Sequence, residues 1–241
     1  MTVKYFLTKK PKSAIIIQGF PSLGLVSTIA TKFLIDHLDV EQIGKIDSDR
    51  LFPLTAIHKT KLIDPITIYF NKKYNLVLIQ AITEIRGLEW ELADVILKLA
   101  RELKAKEVIT IEGMPGHEEK LNIYSYTTKN KSKIKAMPLS EGIIMGVTAA
   151  MLLKSKEVPI TCFFAETHSQ LPDSEAAARI VEVLDEHLNL NIDFKPLLDA
   201  AKKFELNLKK YMEKVQNQPI PAPVQKETLS KKEKKELSYF G

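Results

Sequence analysis

Three glutamates open the question of chemistry. Glu84, Glu112 and Glu166 stand just after, or at the ends of, three runs that read as strands. In a doubly wound sheet, ligands gather at the carboxyl ends of strands. Convergence of these carboxylates, with His117 or His168 beside them, would build a hydrolytic or metal-binding site. No stretch has metal-ligand spacing such as H-E-x-x-H, and acidic strand-end residues also serve helix N-termini and subunit contacts. The sequence therefore predicts no catalytic residue, no metal ligand and no cofactor. A small hydrolase-like enzyme built on the three glutamates is the alternative.

Other reactive residue types give less. Gly19 and Gly24 have the spacing of the first two glycines of a phosphate loop, but Leu25 and Val26 follow where that motif needs Lys and Ser or Thr. Ser22 lies in G-x-x-S-x-G, which is not a nucleophile elbow; a helix N-cap is the better reading. Cys162 is the one cysteine. It sits within the apolar run from Ile160 to Ala165, as an inert core thiol would.

The elements that must position these residues alternate. Ala14 to Ile17 is a buried strand, followed by a turn with Gly19, Pro21 and Gly24 and a helix carrying Leu23, Val26, Ile29, Ala30, Phe33 and Leu34 on one face. Val40 to Asp47 and Leu54 to Lys59 read as strands. Ile66 to Phe70 and Leu76 to Ile82 flank a polar connection of hairpin length, which implies some antiparallel pairing. Gly87 to Lys104 is a helix. Glu107 to Glu112 is a strand that ends in a turn at Gly113 to Gly116. Asn122 to Thr127 is a strand, Gly142 to Lys154 a buried apolar helix, Pro159 to Ala165 a buried strand and Asp173 to Leu188 an amphipathic helix. Pro196 opens a last helix running to about Val215. The pattern predicts a doubly wound, mostly parallel α/β sheet flanked by helices. Met1 to about Val215 forms one domain; residues 216–241 form a flexible tail.

The helix from Gly87 carries a second signal. Trp90 and Leu97 are seven residues apart and fall opposite the main stripe of Leu88, Leu92, Val95, Ile96, Leu99 and Leu103. Tryptophan is enriched at interfaces, so the pair is a candidate contact between subunits of a homo-oligomer.

Composition sets the class. A chain of 241 residues with 45% hydrophobic and 27% charged content can bury a sizeable core. No apolar run is long enough to span a bilayer, and no secretory signal is present. A lone cysteine suits a reducing cytoplasm. The net charge is +5, but lysine and glutamate are interspersed almost everywhere. That is a solvated surface rather than a nucleic-acid footprint.

Residues 216–241 change character. Pro219 to Pro223 favour an extended conformation, and a lysine- and glutamate-rich run follows with no core-forming stripe. The run finishes on Ser238-Tyr239-Phe240-Gly241. Two aromatics at the tip of a solvated tail suggest a docking element.

Four motifs, in order and spacing, resemble the proteasome-assembly chaperone family, in particular its archaeal homologues. They are GFPSLG at 19–24, EGMPG at 112–116, EGIIMGVTAAMLL at 141–153 and LPDSEAAARIVEVL at 171–184. The resemblance implies an ATP-independent chaperone or activator that binds the 20S proteasome core and self-associates. It also implies a C-terminal hydrophobic–tyrosine–any motif that docks between α-subunits of that core. On this pattern Tyr239 takes the hydrophobic position, Phe240 the tyrosine position and Gly241 the last. Phe240 departs from the pattern, because it lacks the phenolic hydroxyl. Unfolded client proteins are a further implied partner.

Overall fold

The computed structural model describes residues 3–58, 60–116, 122–129, 134–167, 171–197 and 199. Its elements follow the chain as β1 (Lys4–Leu7), β2 (Ile15–Gly19), α1 (Val26–His37), β3 (Val40–Asp47), β4 (Ala56–His58), β5 (Lys61–Ile63), β6 (Ile66–Asn71), β7 (Leu76–Ala81), α2 (Glu89–Glu102), β8 (Glu107–Pro115), β9 (Ile123–Thr127), β10 (Met137–Pro138), α3 (Gly146–Lys154), β11 (Ile160–Thr167) and α4 (Ser174–Leu188).

One nine-stranded sheet has the order β1-β3-β6-β7-β2-β8-β11-β9-β10. Its centre, β7-β2-β8-β11, is parallel. Strands β1, β3 and β6 extend one side with antiparallel pairing, and β9 lies antiparallel to β11 on the other. The central strands read as unbroken apolar runs because both of their faces are covered. Helices α1 and α4 cover one face through Val26, Ala30, Leu34, Ile180 and Leu184. Helices α2 and α3 cover the other through Leu92, Ile96, Leu99, Val147 and Met151. The doubly wound α/β architecture expected from the alternation is the one observed.

Local chemistry sets the ends of the helices. Glu89 and Glu91 open α2 and Arg101 closes it, charges that complement the helix dipole. Asp173 caps α4, its Oδ1 accepting from the Ala176 N–H at 2.8 Å. Asn189 ends α4 in the left-handed conformation.

Four expectations change. β8 continues through Gly113 to Pro115 rather than turning there, because β11 pairs with it as far as Thr167. α3 starts at Gly146, where φ is +70°, and not at Gly142. The helix expected from Gly142 to be buried is in part exposed: Ile143 and Met145 ahead of α3, and Leu153 within it, face solvent. Residues 4–7 and 61–63 form strands where none was expected; β4 and β5 pair only with each other, as a separate hairpin.

Candidate functional site

Three of the sequence motifs meet at the carboxyl ends of β2, β8 and β11, where ligands gather in a doubly wound sheet. Gly19 lets β2 pass α1: a Cβ on it would lie 1.8 Å from Thr31 Oγ1. A 3-10 turn over Leu23–Leu25 then enters α1, with Gly24 and Leu25 at positive φ. Ser22 does not cap the helix. Its Oγ accepts from the Gly113 N–H at 3.2 Å and lies 3.0 Å from Ser27 Oγ, which donates to the Phe20 carbonyl. A Cβ on Gly113 would meet the Leu23 carbonyl oxygen at 2.0 Å. The Asp173 N–H donates to the Gly24 carbonyl at 2.8 Å, and the Gly116 N–H to the Thr167 carbonyl at 3.0 Å. The residues of GFPSLG, EGMPG and the start of LPDSE thus lock three strand ends together. Their glycines and serine serve close backbone approach, and the backbone groups named here are used within the lock.

The three glutamates take different roles. Glu84 is exposed between β7 and α2. Glu112 and Glu166 share the face under α2 and α3 and sit diagonally across the β8–β11 pairing. Glu166 Oε2 accepts from the Asn122 N–H at 2.8 Å, holding the approach to β9. Glu112 is enclosed at its carboxyl end and accepts from Thr148 Oγ1 at 2.6 Å, in the first turn of α3. Burial raises its pKa to about 7, against the lowering effect of the Thr148 hydrogen bond. Burial also pushes the Cys162 thiol up to about 12, which makes it a poor nucleophile. His117 and His168 lie outside the described residues. Among the described residues, no group of three or more His, Cys, Asp or Glu side chains could hold a metal ion, and no helix is long and apolar enough to cross a membrane.

A second charged cluster lies at the opposite end of β8. Glu107 is buried, yet three partners face it: Lys129 Nζ at 2.5 Å, Thr161 Oγ1, and His187 Nε2 at 3.8 Å. Burial alone would raise its pKa. The nearby His187 ring and the hydrogen bonds from Lys129 and Thr161 outweigh burial and hold the carboxyl near 2. In the sequence Glu107 is only a charge at the start of an apolar strand, with partners 22, 54 and 80 residues away. Nothing local marks it.

The candidate subunit contact divides. Trp90 is 52% exposed, with Lys154 Nζ 5.1 Å above its ring and 2.7 Å from Asp94 Oδ2. Leu97 is 2% exposed, within the core that α2 shares with α3. The reason is that α2 has two partners, the sheet and α3, so its second apolar stripe is spent inside the subunit. Leu97 therefore cannot take part in a subunit contact. Tyr239, Phe240 and Gly241 lie outside the described residues.

A model of the PAC2 family matches residues 16–212. An uncharacterized protein of Methanocaldococcus jannaschii is 28% identical over 214 residues, 84% of this chain and 87% of the relative. Among solved structures, Pyrococcus furiosus PbaA, described as an archaeal homolog of proteasome-assembly chaperone, superposes with a TM-score of 0.80 at 27% identity, covering 90% of this chain and 94% of its own. Pyrococcus furiosus PbaB, described as an archaeal proteasome activator, reaches 0.74 at 19% identity over 88% of this chain and 99% of its own. The PbaB likeness is one of fold.

Proposed function

The chain belongs to the PAC2 family, and from that premise we propose that it is an ATP-independent chaperone or activator of the 20S proteasome core. It docks Tyr239, Phe240 and Gly241 into pockets between α-subunits and so assists assembly or opens the gate. It acts in the cytoplasm and as a homo-oligomer, with Trp90 at the contact between copies. The observation that carries the reading is the likeness to PbaA across nine-tenths of the chain. The aromatic tip of a solvated tail supports it.

The magnitudes suit a tail. Burying two aromatic side chains contributes roughly 3–6 kcal/mol before ordering costs. One tail then binds at about millimolar to tens of micromolar. Several tails facing a ring of pockets gain ~10²–10⁴ by avidity. A coil of this length spans about 25–30 Å, enough to bridge a body and a neighbouring ring surface.

The test is binding of the full chain, and of a version ending at Leu237, to purified archaeal 20S particles, with peptide hydrolysis followed in the same tubes. The full chain is expected to bind and the shortened one to lose binding; a rise in hydrolysis marks an activator. Equal binding by both would place the contact on the body. Binding by neither would remove the proteasome as partner.

A further inference from the structure

The β4–β5 hairpin is an arm without a cover. Ile57 and Leu62 are direct cross-strand partners, and they are 77% and 68% exposed. Phe52 and Leu54, on the way into the arm, are 65% and 39% exposed. An isolated two-stranded hairpin is marginal in water and needs a face to pack against. One side of this arm finds part of that within its own subunit. Ala56, Ile57 and Ile63 line a groove of about 560 Å³ with Ile35 and Leu38 of α1.

A second apolar surface adjoins the base of the arm. Arg50 Nη1 pairs with Glu91 at 2.5 Å and Nη2 donates to the Gly87 carbonyl at 2.5 Å. Thr83 Oγ1 donates to the Phe52 carbonyl at 3.4 Å. These contacts hold the segment leading into the arm against the start of α2, beside Trp90. Ile143, Met145 and Leu153 then expose their side chains around α3, whose Lys154 lies over the Trp90 ring.

We propose that the hairpin of one copy of this chain packs against the Trp90–α3 surface of a second copy. The inference rests on the self-association reading above, and it gives that reading a surface. One observation selects a second copy as the occupant, the area. The hairpin and the Trp90–α3 surface together leave roughly 1,000 Å² of mostly apolar side chain open, the total that a specific interface between two partners should clear. Within one subunit Ile57, Leu62 and Trp90 all stay exposed, so the arm does not cover its own α2.

The test uses the full chain and two variants, Leu62→Glu and Trp90→Glu. Both sites are exposed, so the circular dichroism spectrum of each variant should match the wild type, while the melting temperature falls with the loss of assembly. Light scattering and sedimentation read the mass. The wild type is expected to be oligomeric, and each variant to weaken self-association by at least about 30-fold. The equimolar mixture of the two variants is expected to form dimers, because one undamaged hairpin then meets one undamaged α2–α3 surface. An oligomeric Leu62→Glu would remove the hairpin from the interface. A mixture that stays monomeric would show that hairpin and Trp90 surface do not meet. A monomeric wild type would overturn the self-association reading itself, and this proposal with it.

Discussion

Glu107 and Glu112 stand five residues apart on β8, and their surroundings push them in opposite directions. Glu107 has Lys129, Thr161 and His187 around it and is held near 2, below its ordinary 4.5. Its contribution to stability is complete above pH 4.5 and is lost as the pH falls from there through 2. Glu112 is raised to about 7 by burial. The unfolded carboxyl ionises from pH 4.5 upward while the folded one resists, so stability falls as the pH rises from 4.5 to 7. Glu112→Gln should lift that penalty. Its amide oxygen can still accept from Thr148, and Gln18 Oε1, buried on the neighbouring strand without a hydrogen-bond partner, is an acceptor of the kind the new NH₂ needs. The expected gain is about 1–3 kcal/mol at pH 8 and close to nothing at pH 4, read from urea unfolding at the two pH values. A loss at pH 8 would mean that the ionised carboxylate is the form the fold uses. The sequence showed Glu112 as a strand-end carboxylate. It could not show α3 closing over it, because that depends on a helix more than thirty residues later.

Among the elements, the junction of β2, β8 and β11 brings short, separate motifs into contact. The GFPSLG turn approaches β8 so closely that Gly113 has no room for a side chain. Gly113→Ala should cost more than about 2 kcal/mol, by moving either the Leu23 turn or the end of β8. Gly87→Ala is the control. Its φ is +80° but its Cβ would meet nothing within 4 Å, so about 1 kcal/mol of backbone strain is expected. Urea midpoints of the two variants separate crowding from conformation, and equal losses would show that β8 yields at no cost. Elements with strong local patterning were legible in the sequence: β3 from Val40 to Asp47, the β6–β7 hairpin, α2 and α4. Others depended on distant partners. β1 is four residues of mixed character that gain their place by pairing with β3. β4 and β5 are three residues each, too short to show a period. α3 looked longer because Gly142 to Met145 is apolar, but Gly146 takes a left-handed φ and begins the helix four residues late. Leu97 misled for a related reason: a second apolar stripe on a helix predicts a second partner, and that partner was inside the same subunit.

At the scale of the whole molecule, the body and the tail have separable duties in the proposed function. The tail supplies the contact and the body supplies the number of tails. A tip with Phe240 in place of tyrosine keeps ring burial and lacks one hydroxyl. Phe240→Tyr should therefore add one hydrogen bond, about 1 kcal/mol or roughly fivefold in affinity per tail. Losing the assembly should matter far more. Leu62→Glu leaves residues 216–241 untouched and, on the proposed interface, leaves each tail alone. Its affinity for 20S particles should fall by ~10²–10⁴, to that of a free peptide of residues 226–241. The chain ending at Leu237 should stay assembled and yet not bind. Measured side by side by surface-immobilised 20S binding, the two variants fail for different reasons, and a mixture of them should not recover full binding. Should the monomeric Leu62→Glu chain bind as tightly as the wild type, a single tail would be enough, and self-association would have to serve something other than avidity.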